Sequence, residues 1–104
     1  MIEIFVTTQF TGFHKWKEAP KKVDFLRNKH RHIFYVKVWF KVSYDRQLEF
    51  FIQKEKLDNY IKKNINTNNV GSCEGVCTVI ANMDNRITKV EVSEDRENGA
   101  ILNV

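Results

Sequence analysis

The stretch His30-Arg-His-Ile-Phe-Tyr-Val-Lys-Val-Trp-Phe-Lys-Val-Ser-Tyr44 decides the fold, because every second residue along it is apolar or histidine. Its even positions read His30, His32, Phe34, Val36, Val38, Phe40 and Val42. Side chains two apart leave a strand on the same side, so this is one face of a half-buried β-strand. Lys37 and Lys41 alternate with Tyr35 and Trp39 on the opposite side. The two histidines therefore extend an apolar stripe at its N-terminal edge.

A second strand with the same property precedes it, from about Ile2 to His14. Ile2, Ile4, Val6 and Phe10 form its apolar face, which ends in His14, while Glu3, Thr7, Gln9 and Thr11 occupy the other. The chain has three histidines, and these are all of them. If the two strands pair antiparallel, the end of the first lies beside the start of the second and the three imidazoles converge. Neutral imidazole is a favoured zinc ligand, and three protein ligands leave a fourth position for water or a substrate oxygen. The spacing predicts a metal site at the mouth of a strand pair, held by His14, His30 and His32.

A chain of 104 residues is one domain with a single modest core, and 42% hydrophobic with 12% aromatic residues excludes a disordered tail. The net charge of +4 is concentrated around the histidines, where Lys15, Lys17, Lys21, Lys22, Arg27, Lys29 and Arg31 face only Glu18 and Asp24. Such a loop is either a solvated lysine-rich connection or a means of attracting an anion such as phosphate. The basic residues are not interleaved with aromatics, so specific nucleic-acid binding is not expected. Cys73 and Cys77 are four apart, which is no CxxC zinc or redox pattern, and read as reduced thiols. No signal peptide and no run of membrane length is visible, so a cytoplasmic protein is expected.

Between the two long strands, residues 15 to 29 form a charged connection containing the only proline, Pro20. After Tyr44, Asp45-Arg46 predicts a hairpin turn into a third strand, Gln47 to Ile52. From Gln53 the period becomes helical, with Leu57, Tyr60, Ile61 and Ile65 on one stripe. Asn64 to Gly71 is a polar break, and Ser72 is a candidate N-cap for a second helix, Cys73 to Met83, with Glu74 in its first turn. A strand from Ile87 to Glu94 places Thr88, Val90, Val92 and Glu94 on one face. Glu97-Asn98-Gly99 predicts a turn into a last strand, Ala100 to Val104. The resulting order is strand, strand, strand, helix, helix, strand, strand, an α+β domain.

Phe10-x-x-x-His14 followed by His30-x-His32 at the start of a long strand resembles the zinc site of the 6-pyruvoyltetrahydropterin and 6-carboxytetrahydropterin synthases, small enzymes of the tunnelling fold (T-fold). Leu48-Glu49-Phe50 is similar to that family's entry into its first helix. Gly71-Ser72-Cys73-Glu74 is similar to the start of its second helix, and Val90-Glu91-Val92-Ser93-Glu94 to the strand that ends in its ring-holding glutamate. The resemblance implies a four-stranded antiparallel sheet with two helices inserted between hairpins. It also implies zinc on His14, His30 and His32, with Glu94 holding the edge of a pterin or purine ring and Ser72, Cys73 and Glu74 close by. In this fold the pockets lie between subunits, so a homo-oligomer is implied.

The departures from the family are chemical. Its catalytic cysteine, four residues before the first histidine of the pair, is Leu26 here. Its Asp-His pair between the helices has no counterpart in Asn64 to Gly71, and Arg31 replaces the glycine between the paired histidines. General acid–base catalysis needs a titratable group within reach of the reacting atom, and no catalytic residue can be named. Asp24, Lys29 and Cys73 are the substitutes the sequence offers. The expectation is a metal-binding protein for a pterin- or purine-like ligand, phosphorylated or not, without ordinary synthase chemistry. The alternatives are a divergent synthase-type lyase using Cys73 or a neighbouring subunit's acid, and a non-enzymatic phage-type protein that sequesters a nucleotide signal.

Overall fold

A computed structural model describes residues 1–104. The elements are β1 (Ile2–His14), β2 (His30–Val42), α1 (Phe50–Asn64), α2 (Cys73–Ala81), β3 (Ile87–Glu94) and β4 (Asn98–Asn103). The four strands form one antiparallel sheet in the order β1-β2-β3-β4. α1 packs on β1, and α2 packs on β3 and β4. This is an α+β architecture, as the alternation implied.

β1 and β2 pair along their full length, from Ile2 opposite Val42 to His14 opposite His30. The even faces predicted for both strands are the faces that enter the core. Phe34, Val38 and Phe40 are fully buried against Leu57 of α1 and Ile80 of α2, joined by Val90 and Val92 of β3. Each such apolar side chain contributes about 1.5–3 kcal/mol of transfer free energy.

The predicted third strand over 47–52 is not formed. Asp45-Arg46 does turn, with Arg46 at φ 57°, but the chain then enters α1 directly. The cause is Glu49, whose carboxylate accepts the N–H groups of Phe51 and Ile52 and caps the helix. Phe50, Phe51 and Ile52 carry strand propensity yet have no neighbouring strand, and they stay exposed. The buried stripe of α1 is Gln53, Leu57 and Ile61, and the Tyr60 hydroxyl donates to the Val79 carbonyl of α2 at 2.9 Å.

α2 begins where Ser72 predicted, with the Ser72 Oγ accepting the Gly75 N–H at 3.0 Å. It ends at Ala81, two residues earlier than the apolar pattern suggested. The charged connection 15–29 is mostly exposed but contains a short 3-10 helix, Lys21–Arg27, and one buried residue, Ala19. The Arg27 Nε donates to the Ala19 carbonyl at 2.9 Å, so one basic residue of the loop is structural.

Two features of β3 differ from the sequence reading. A bulge falls in its pairing with β2, where Trp39 meets Lys89 but Phe40 meets Ile87. Alternation is broken there: Ile87 and Val90 both face the core, while Thr88 turns away and bonds Glu3. The turn into β4 comes two residues earlier than expected, with Asp95 and Arg96 at φ 54° and 61°. Gly99 is already in the strand, where a Cβ would stand 2.3 Å from the Val92 carbonyl oxygen.

Candidate metal centre

The pairing of His14 with His30 brings together three rings from two strands. His14 lies with its ring centroid 4.5 Å from His30 and 5.1 Å from His32, and His30 and His32 are 4.8 Å apart. All three pairs are edge-to-face. Phe34, the next even residue of β2, forms the floor with its ring edge-on to His14 and His32. One nitrogen from each of the three histidines lies within 4.8 Å of the others.

The hydrogen bonds decide which nitrogens face the centre. His14 Nδ1 is 3.2 Å from the Gly71 carbonyl oxygen, and His30 Nδ1 is 2.8 Å from that of Asn28. His32 Nδ1 is 2.7 Å from Oδ2 of Asp95. Each partner can only accept, so each Nδ1 carries the proton and donates it. The three Nε2 atoms are left with lone pairs. Nε2 of His30 is buried and has no partner, a costly state for a polar atom unless something binds it. Outward N–H groups tied to carbonyl or carboxylate oxygens are the usual support of a histidine metal site. The three residues could hold a metal ion.

Glu94 ends β3 opposite Phe34 and reaches the same place, with Oε2 3.2 Å from His14 Nε2 and 3.9 Å from His32 Nε2. Beside the histidines opens a cavity of about 450 Å³, whose wall includes Trp16, Leu26, Ser72, Cys73, Glu74 and Glu94. Every residue that the resemblance implicated in ligand binding thus borders this one space. The Ser72 hydroxyl is engaged in capping, and Glu74 is exposed. Leu26, at the position where the resemblance implies a catalytic cysteine, lines the cavity with an apolar side chain. Of the substitutes, Cys73 alone lines the cavity; Lys29 instead lies over the Phe13 ring, 5.1 Å from its centroid. Burial, and next the charge of Glu94, pushes the Cys73 thiol up to about 12, so it is a poor base near neutrality. Of the basic loop, Lys15 lines the cavity.

Asp95 was not legible as part of the site. Besides receiving the His32 proton, it accepts the Ile33 N–H through Oδ1 at 2.9 Å, and these contacts hold its carboxyl below the usual carboxylate range. The signal available was a second acid directly after Glu94, but Asn98-Gly99 drew the expected turn away from it. A larger open depression of about 670 Å³ crosses the outer sheet face around Tyr35, Lys37 and Glu91 and contains none of the histidines.

Fold and centre together define an α+β protein with three histidines converging at the end of a strand pair, beside a ligand-sized cavity. No protein-family model matches the chain, and a search of curated proteins finds no match. No helix is long and apolar enough to cross a membrane.

Proposed function

We propose that the chain is a T-fold protein similar to the 6-pyruvoyl- and 6-carboxytetrahydropterin synthases, which binds a divalent ion, zinc by preference, on His14, His30 and His32. It takes a pterin- or purine-like ring into the adjoining cavity without ordinary synthase chemistry. The observation that carries the metal reading is the buried, unpartnered Nε2 of His30 in a group with ring nitrogens of His14 and His32. The ligand reading is supported by the cavity volume, which falls in the range of small-molecule sites, and by its mixed wall. A bound zinc would supply Lewis acidity toward an oxygen of the ligand. The chain's own groups bind and orient: Trp16 and Leu26 offer apolar contact, while Glu74 and Glu94 accept ring N–H groups. Leu26 cannot carry a proton and Cys73 stays a thiol near neutrality, which favours binding over turnover.

Both outer strands, β1 and β4, have one unpaired edge. Open edges of this kind favour association with further copies, which supports a homo-oligomer.

The test is metal analysis of chain stripped with chelator and reloaded with zinc, followed by titration with dihydroneopterin triphosphate. The expected result is one zinc per chain, lost in His30→Ala and His32→Ala, and a bound pterin recovered intact. Recovery of a converted product abolished by Cys73→Ala would establish the lyase alternative instead. Absence of zinc from the wild type would end the proposal.

A further inference from the structure

We propose that Glu94 is the fourth protein ligand of the ion, so that three imidazoles and one carboxylate close the coordination sphere. The inference rests on the metal reading of the three histidines and adds to it that the chain itself fills the position a substrate oxygen would take. The distances support it first. Donor atoms about 2.0–2.1 Å from a tetrahedral ion stand roughly 3.3–3.4 Å from one another. Glu94 Oε2 is 3.2 Å from His14 Nε2, close to that spacing, and 3.9 Å from His32 Nε2, half an ångström beyond it, so the carboxylate stands at the rim of the histidine trio and closes on the ion by a small side-chain movement.

The hydrogen-bond pattern supports it independently. With the Nδ1 proton of His14 directed at Gly71 and that of His32 at Asp95, both Nε2 atoms present lone pairs to a carboxylate oxygen. Acceptors facing acceptors at this range repel, and a cation between them converts the repulsion into attraction. A single shared proton would satisfy one such contact and leave His30 Nε2 orphaned; an ion satisfies all of them.

The chain trace explains how the carboxylate arrives there. Glu94 faces the helix side of β3 with Val90 and Val92, and its partner Phe34 lies two residues from His32 on β2. The next residue, Asp95, is in the left-handed turn and approaches His32 from the other side. Consecutive acids thus serve opposite edges of one imidazole. Asp95 positions the ring through Nδ1, and Glu94 faces the ion side at Nε2.

A closed sphere of three histidines and one glutamate has a functional consequence. A ring in the cavity reaches the ion only if Glu94 leaves it, and Glu94 is then free to accept the ring's N–H edge. The carboxylate becomes an exchange point between ion and ligand rather than a fixed anchor.

Cobalt(II) titration of the chelator-stripped full chain tests this, read by visible absorption and by competition with a chelator. Wild type should bind one cobalt with a four-coordinate spectrum that added azide leaves unchanged. Glu94→Gln should weaken binding at least tenfold and shift the spectrum. Glu94→Ala should open a position that azide enters, seen as a further shift. Circular dichroism and thermal melting of the metal-free variants should match wild type, because Glu94 contributes nothing to the core. Unchanged affinity and spectrum in Glu94→Gln, or a wild-type spectrum that shifts with azide, would overturn the Glu94 assignment while leaving the histidine site standing. A wild type that binds no cobalt, or a His30→Ala variant that binds it as well as wild type, would overturn both.

Discussion

Nδ1 of His32 stands 2.7 Å from Oδ2 of Asp95, while the other oxygen of that carboxylate holds the Ile33 N–H at 2.9 Å. The acid is anchored to the backbone beside the ring that it orients. Partners of this kind fix the tautomer and raise the basicity of the coordinating nitrogen, and their loss costs about ten- to a hundredfold in metal affinity. Asp95→Asn keeps a side chain that tolerates the left-handed backbone and removes the charge. Zinc affinity measured by chelator competition should fall by about tenfold, with little change in the melting temperature of the metal-free chain.

Gly12 lies opposite His32, and a Cβ there would stand 2.6 Å from Cγ2 of Val70 and 3.0 Å from the Phe34 ring. Val70 belongs to the segment that bonds to Phe13 in both directions and then delivers the Gly71 carbonyl to His14. Gly12→Ala therefore pushes this segment off the sheet. The expected cost is about 1–3 kcal/mol of stability in a denaturant titration, together with weaker metal binding through His14.

The thiols should be unreactive in the folded chain. Cys73 is pushed up to about 12 and Cys77 is also raised, each chiefly by burial, and the thiolate is the form that reacts. Iodoacetamide at pH 8 should label the metal-free native protein far more slowly than the urea-unfolded chain. Cys73→Ala should leave zinc stoichiometry unchanged.

Asp84 holds Arg86 through two side-chain contacts, Oδ1 to Nε at 3.0 Å and Oδ2 to Nη2 at 2.6 Å, and it also accepts the Arg86 N–H. The hydrogen bonds to Arg86 lower its carboxyl below the ordinary value, with burial opposing. A lowered folded pKa gives stability that is present above the unfolded value and lost as the pH falls through the folded one. Asp84→Asn should cost about 0.5–1 kcal/mol at pH 7. The difference from wild type should shrink as the pH drops below about 4, where the unfolded carboxyl also takes up its proton.

What the sequence revealed depended on how far each signal reached. The strict alternation of β2 and the placement of all three histidines at strand ends were enough to foresee the trio, because pairing is a local consequence of pattern. The stretch Phe50-Phe51-Ile52 carries β propensity, but the cap that Glu49 supplies and the lack of a strand to cover it decide for helix. Asp95 and the Gly71 carbonyl leave no mark in the sequence because their role exists only once distant segments meet. Cys73 was legible as a neighbour of the site, but its unsuitability as a base follows from burial, which spacing does not encode.

The irregularity opposite Trp39 and Phe40 has a further consequence. A regular strand would carry Ile87 and Glu94, seven residues apart, to opposite sides of the sheet. The extra residue at Thr88 resets the phase right after Ile87, so that a greasy anchor at one end and a charged hand at the other point the same way. Deleting it would force the hairpin to choose between filling the interior and reaching the histidines; the fold keeps both by carrying one residue out of step.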